Sequence, residues 1–226
     1  MAVTEFLKDP ITIVEVTALV MSLFTLASKK AGYWSLFIFY LIITVTAETI
    51  GYYFHEIQQS NYSVYHVFNL IQIFFFSFFF YRFQKNEEVK YWLFIGIEIF
   101  ILGFMIEGMF LSFTKNKTAF VSNYNLYSRM FLSVFVTFFC CNFYFSIIKD
   151  NTILRPVKYA PFWIITGLFF YYFGSLPLFA FYKFVAPIKL KSLVPPYFWT
   201  LVMGTLSVIL YGSWIIGFIC KKRQAR

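Results

Sequence analysis

The sequence predicts an all-α, polytopic membrane protein, a seven-transmembrane-helix bundle that uses nearly the whole chain. Three observations predict it. Of 226 residues, 60% are hydrophobic and 25% aromatic, while only 13% are charged, too few charges to cover a water-facing surface. The apolar residues form seven runs, 11–28, 33–55, 62–82, 91–112, 121–148, 160–183 and 196–219, each of a length suited to crossing a ~30 Å hydrocarbon layer. The runs are also continuous, without the alternation over ~10 residues that marks barrel strands. In lipid, a helix satisfies every backbone group within its own segment. The connections are short, so residues 1–226 form one domain.

Taken in order, the spans carry these polar residues. Span 1 follows Asp9-Pro10 and contains Glu15; the preceding tail holds Glu5 and Asp9 and lacks a basic region, which argues against a cleaved signal peptide. In span 2, Glu48, Tyr52 and His55 share one stripe. In span 3, Tyr62, His66 and Asn69 are neighbours and Gln72 sits near the middle. Span 4 holds Glu98 and Glu107, nine positions apart and hence ~180° opposed at ~100° per residue, so they cannot line one cavity together. Span 5 holds Asn123, Asn125 and Arg129, the last two ~40° apart on one face. Its adjacent Cys140 and Cys141 have neither CxxC metal nor redox spacing. Span 6 contains Gly174-Ser175-Leu176-Pro177, where proline removes a helical hydrogen bond and kinks the helix, as a static bend or as a hinge. Span 7 offers Thr200, Gly204, Thr205 and Ser207, small residues suited to close packing.

Orientation follows from the basic residues. Six lie on the side of the N-terminus: Lys8, Lys115, Lys117, Lys183, Lys189 and Lys191. Twelve lie opposite: Lys29, Lys30, Arg82, Lys85, Lys90, Lys149, Arg155, Lys158, Lys221, Lys222, Arg223 and Arg226. The positive-inside rule then puts the N-terminus outside and the C-terminus in the cytoplasm, with the protein multi-pass in the inner (plasma) membrane. The net charge of +9 reads as an orientation and anionic-lipid signal, scattered over too many short loops for nucleic acid. Two glycosylation-type triplets, Asn61-Tyr62-Ser63 and Asn116-Lys117-Thr118, read as coincidence.

An ionisable group at mid-bilayer costs roughly 2.5–3.5 kcal/mol on insertion scales. Most of the intramembrane polar residues fall in the outer half once the spans are oriented; Glu98 is the exception. Arg129 is the one intramembrane cation and has three acidic candidates at similar depth, Glu15, Glu48 and Glu107. Such a surplus of acid predicts either a structural polar network or an outward-facing pocket. In the pocket reading, the binding residues are Glu48, His66, Asn69, Gln72, Glu107, Asn125 and Arg129, with Gly174 and Pro177 as the hinge. The expected function is receptor-like or sensory binding of a small polar or amphipathic ligand. A proton-coupled small-molecule transporter is the alternative, followed by an intramembrane lipid-modifying enzyme or a structural subunit. Membrane lipids are the expected partners, with a small-molecule ligand and an unspecified membrane protein.

Several chemistries lack their residues. There is no lysine in span 7 for a retinal Schiff base, no HxxxH or HExxH pair, no phosphate loop and no GxSxG elbow. No cofactor or metal is expected, and the reading leans away from an enzyme. Pro161-Phe162-Trp163-Ile164-Ile165-Thr166-Gly167 with Tyr171-Tyr172-Phe173-Gly174, and Tyr65-His66-Val67-Phe68-Asn69 before a Phe-rich stretch ending at Tyr81, resemble small bacterial seven-helix integral membrane proteins without an assigned activity. The resemblance implies the fold and carries no activity. In topology alone the chain is similar to seven-helix sensory modules fused to bacterial signalling kinases, without the kinase portion.

Overall fold

The computed structural model describes residues 9–57, 61–84, 86–113, 117–149, 156–185 and 196–224. Among them are seven α-helices: α1 (Pro10–Leu26), α2 (Leu36–Glu56), α3 (Tyr62–Phe83), α4 (Glu87–Phe113), α5 (Lys117–Lys149), α6 (Ala160–Val185) and α7 (Pro196–Gln224). No strand occurs among the described residues. Six helices are long and apolar enough to cross a membrane; α1, with 17 residues, is ~25 Å long. The outer surface carries apolar side chains such as Phe24, Phe39, Leu102, Phe138, Phe145 and Leu201. The chain is thus a multi-pass membrane protein whose rim contacts lipid.

Local chemistry sets the first two helices. Asp9 caps α1 by accepting from the Ile11 amide at 3.1 Å, and Pro10 takes the first helical turn, where its missing N–H is not needed. The expected second span begins at residue 33, but α2 starts at Leu36. A 3₁₀ segment, Lys29–Ser35, precedes it and turns at Gly32, whose φ of 59° suits a residue without Cβ.

Helix packing produces a ring. α1 packs on α2, α2 on α3, α3 on α5, α5 on α6, α6 on α7, and α7 returns to α1; α4 packs outside against α3 and α5. Only 11% of the apolar window of α4 is buried, against 39–44% for the other five long helices, so α4 is peripheral. At the α6–α7 seam a Cβ on Gly167 would stand 2.8 Å from the Leu210 carbonyl oxygen and 3.0 Å from Ser213 Cβ. Glycine therefore sets that close approach. α6 runs unbroken through Gly174 and Pro177.

One half of the ring interior is filled by aromatic rings. Phe37 lies 4.3 Å from Phe79, 5.2 Å from Trp214 and 5.4 Å from Phe218, centroid to centroid, and Trp34 stacks on it at 5.7 Å. Trp34, Phe37, Phe76, Phe80, Trp214 and Phe218 are almost wholly buried. This aromatic block lies toward the end of the bundle that carries Lys221, Lys222 and Arg223. There Lys222 donates to the Phe24 carbonyl at 3.0 Å and Gln224 to the Lys158 carbonyl at 2.7 Å.

Candidate functional site

Beside the aromatic block the ring encloses a polar chamber. Glu15 on α1, Tyr40, Thr44 and Glu48 on α2, Phe68 and Gln72 on α3, Arg129 and Ser133 on α5, Tyr171, Tyr172, Ser175 and Phe179 on α6, and Tyr211 on α7 line it. The space open to the centres of water molecules is about 40 Å³, enough for about three or four waters at ~10–15 Å³ each. Counted from the nearer helix ends at ~1.5 Å per residue, Glu48, Gln72 and Arg129 lie ~12, ~15 and ~18 Å deep. Separate helices thus deliver charge to one level.

Each carboxylate in the chamber is held by a tyrosine. The Tyr211 hydroxyl donates to Glu15 Oε1 at 3.0 Å, and the Tyr65 hydroxyl donates to Glu48 Oε2 at 2.9 Å. The second oxygen of each carboxylate has no hydrogen-bond donor among the described residues. Gly51 leaves the space for Tyr65, since a Cβ there would stand 2.6 Å from the Tyr65 hydroxyl oxygen. Gln72 donates to the Tyr40 hydroxyl at 3.2 Å, and Tyr40 stacks on Phe75 with centroids 3.9 Å apart.

Arg129 is held differently. Its guanidinium lies 5.2 Å from the Tyr65 ring centroid and 5.6 Å from that of Phe179, within cation–π range. No carboxylate among the described residues comes within 4.0 Å of it. The hydroxyls of Ser133, Thr44 and Ser175 bond carbonyls of their own helices. The acidic and basic groups lining the chamber are therefore two carboxyls and one guanidinium.

The expected constellation divides in two. Glu48, Gln72 and Arg129 line the chamber. Glu107 does not, because α4 stands outside the ring; it accepts a short hydrogen bond from Ser128 on α5 and lies 4.0 Å from His66 Nδ1. His66 stacks on Phe104 at 3.8 Å. Glu107 and His66 thus belong to a separate cluster between α3, α4 and α5. Asn69 is completely buried, and neither of its amide atoms has a partner among the described residues. The side chains of Asn125, Asn123, His55 and Tyr62 lie outside the described part of the structure. Of the expected hinge pair, Gly174 packs against Leu206, 2.8 Å from where its Cβ would be, and Pro177 is exposed. Glu98 is exposed on α4.

Sequence reasoning named Glu15 as an acidic candidate for Arg129 but left it out of the binding set, and did not name Tyr211, Tyr171 or Tyr172 as binding residues. Glu15 is only 4% exposed, which makes it an interior residue. Tyrosine is common in spans, so its presence alone gave no signal. Among the described residues no group of three or more His, Cys, Asp or Glu side chains could hold a metal. No family model, curated protein or solved structure matches the chain.

Proposed function

We propose that this protein is a receptor-like membrane protein that binds the cationic group of a small ligand in the chamber, with the chamber in the outer half of the bilayer. One observation carries the reading: a water-sized cavity enclosed by six helices holds two carboxylates against a single guanidinium. A monovalent cation balances that set. The orientation rests on the basic residues, which favour a cytoplasmic end at Lys221–Arg223. A receptor is favoured over a pore because Tyr40, which lines the chamber, packs against Phe76 and Trp214 of the aromatic block, which fills the bundle on that side. α6 supplies the response element. Pro177 leaves the Phe173 carbonyl without its usual helical donor, next to the stretch of Tyr171, Tyr172 and Ser175 that faces the cavity.

The test is thermal unfolding of the purified full chain with methylammonium, guanidinium or acetate. Methylammonium at a hundredfold excess over its Kd contributes about 2.7 kcal/mol, a rise of ~5–10 °C at ~2–4 °C per kcal/mol. The rise disappears in Glu48→Gln. An equal response of wild type and Glu48→Gln, or none in either, removes the reading.

Proton-coupled transport is a second reading, favoured by the two tyrosine-bonded carboxylates beside the cavity. It requires uptake into proteoliposomes driven by a pH gradient and lost in Glu48→Gln.

A further inference from the structure

The chamber has an apolar neighbour. Between α2 and α3, Ile42, Ile43, Ile50, Val67 and Ile71 line a groove of about 440 Å³ on the outer surface of the bundle. Ile43, Ile50 and Val67 are 38%, 41% and 54% exposed, so the groove faces lipid. Phe68 lines both spaces and is itself only 4% exposed. A single ring therefore separates hydrocarbon from the charged interior.

We infer that the chamber is loaded sideways from the bilayer, past Phe68, by a single-chain amphiphile with a primary ammonium head whose alkyl chain lies in the α2–α3 groove. This deepens the proposed function and rests on it. Three observations select the head group. The chamber holds about three or four waters in volume, a space into which a primary ammonium fits. Glu15 and Glu48 each present one oxygen without a donor among the described residues, and an ammonium brings three N–H donors. Its single positive charge balances the two carboxylates and Arg129. The groove selects the rest of the molecule, because its lining is mostly apolar, with Thr46 and Ser63 the exceptions, and meets the chamber wall at Phe68. Entry from the opposite end is blocked by the aromatic block around Phe37 and Trp214. Rotation of the Phe68 ring joins the two spaces and leaves the rest of the ring of helices intact.

The experiment uses the full chain in lipid nanodiscs and reads thermal stabilisation and retention by native mass spectrometry. The probes are dodecylamine, dodecanoate, dodecanol and methylammonium. Dodecylamine is expected to bind at least tenfold more tightly than methylammonium, whereas dodecanol and dodecanoate leave the midpoint unchanged. Phe68→Trp, which fills the doorway, lowers dodecylamine affinity at least tenfold. Val67→Trp, on the lipid side of the groove and outside the chamber, lowers dodecylamine affinity at least tenfold and leaves methylammonium binding unchanged, so a folding defect in the first variant does not decide the matter. Glu48→Gln abolishes binding of both amines. Methylammonium binding without tighter dodecylamine binding overturns sideways loading and leaves the chamber reading standing. Absence of binding by both amines removes the two together, and selective binding of dodecanoate overturns the inference in favour of an anion on Arg129.

Discussion

Asn69 allows a sharp test of how the interior is organised. It is fully buried on α3, and both amide atoms lack a hydrogen-bond partner among the described residues. Burying such a group without a partner costs ~1–3 kcal/mol in protein mutational series. Leucine has a similar volume and needs no partner, so Asn69→Leu removes the penalty without opening a cavity. The expected gain is ~1–3 kcal/mol, a rise of ~2–12 °C in the thermal midpoint at ~2–4 °C per kcal/mol for a chain of this size. Scanning fluorimetry on purified protein in one detergent, with wild type and Asn69→Ala alongside, measures it. Asn69→Ala should gain less than Asn69→Leu, because it removes the amide and also leaves a void. A fall of the Asn69→Leu midpoint by a few degrees would refute the reasoning, since it would mean that the amide is bonded in the folded protein.

Other outcomes follow from the packing and the chamber. Gly167→Ala presses a methyl group against the Leu210 carbonyl oxygen and should destabilise the protein by ~1–3 kcal/mol. Gly103→Ala, which meets nothing within 4 Å, should be neutral or stabilising by up to ~1 kcal/mol through helix propensity; thermal midpoints of the pair check both. Tyr211→Phe removes the donor to Glu15 and should lower stability by ~1.5–3 kcal/mol; unchanged melting would count against that bond. Glu107→Gln should leave amine binding unaltered, in contrast to Glu48→Gln, when both are titrated with methylammonium. In intact cells, an impermeant label should reach an N-terminal tag and not a C-terminal one; the reverse pattern would put the chamber in the cytoplasmic half.

The helices were legible because their signal is cumulative. An unbroken apolar run such as 62–82 admits few other structures in lipid, and the cap at Asp9-Pro10 marks the start of α1 locally. The level of the chamber was legible too, since depth along a helix follows from counting residues, and Glu48, Gln72 and Arg129 do meet. Helix neighbours were not. α4 is as apolar as the ring helices, and nothing in its composition separates a peripheral helix from an interior one, so Glu107 was grouped with a cavity it does not reach. Nor did α1 reveal which helix it would pack on, so Glu15 was left out of the binding set. Its partner, Tyr211, lies 196 positions away on a helix read only for its small residues. The turn at Gly32 shows a smaller failure: an apolar run gives no notice of a 3₁₀ segment within it.

The seam between α1 and α7 has a consequence for biogenesis. α1 is made before α7, and the two share the wall that carries Glu15 and Tyr211, so the enclosure cannot close until α7 has been synthesised. Until α7 is released, the Glu15 carboxylate has to find water or a provisional neighbour in the membrane. A nascent chain halted before residue 196 would present that open flank to whatever assists insertion, and the arrival of α7 is itself the event that seals it.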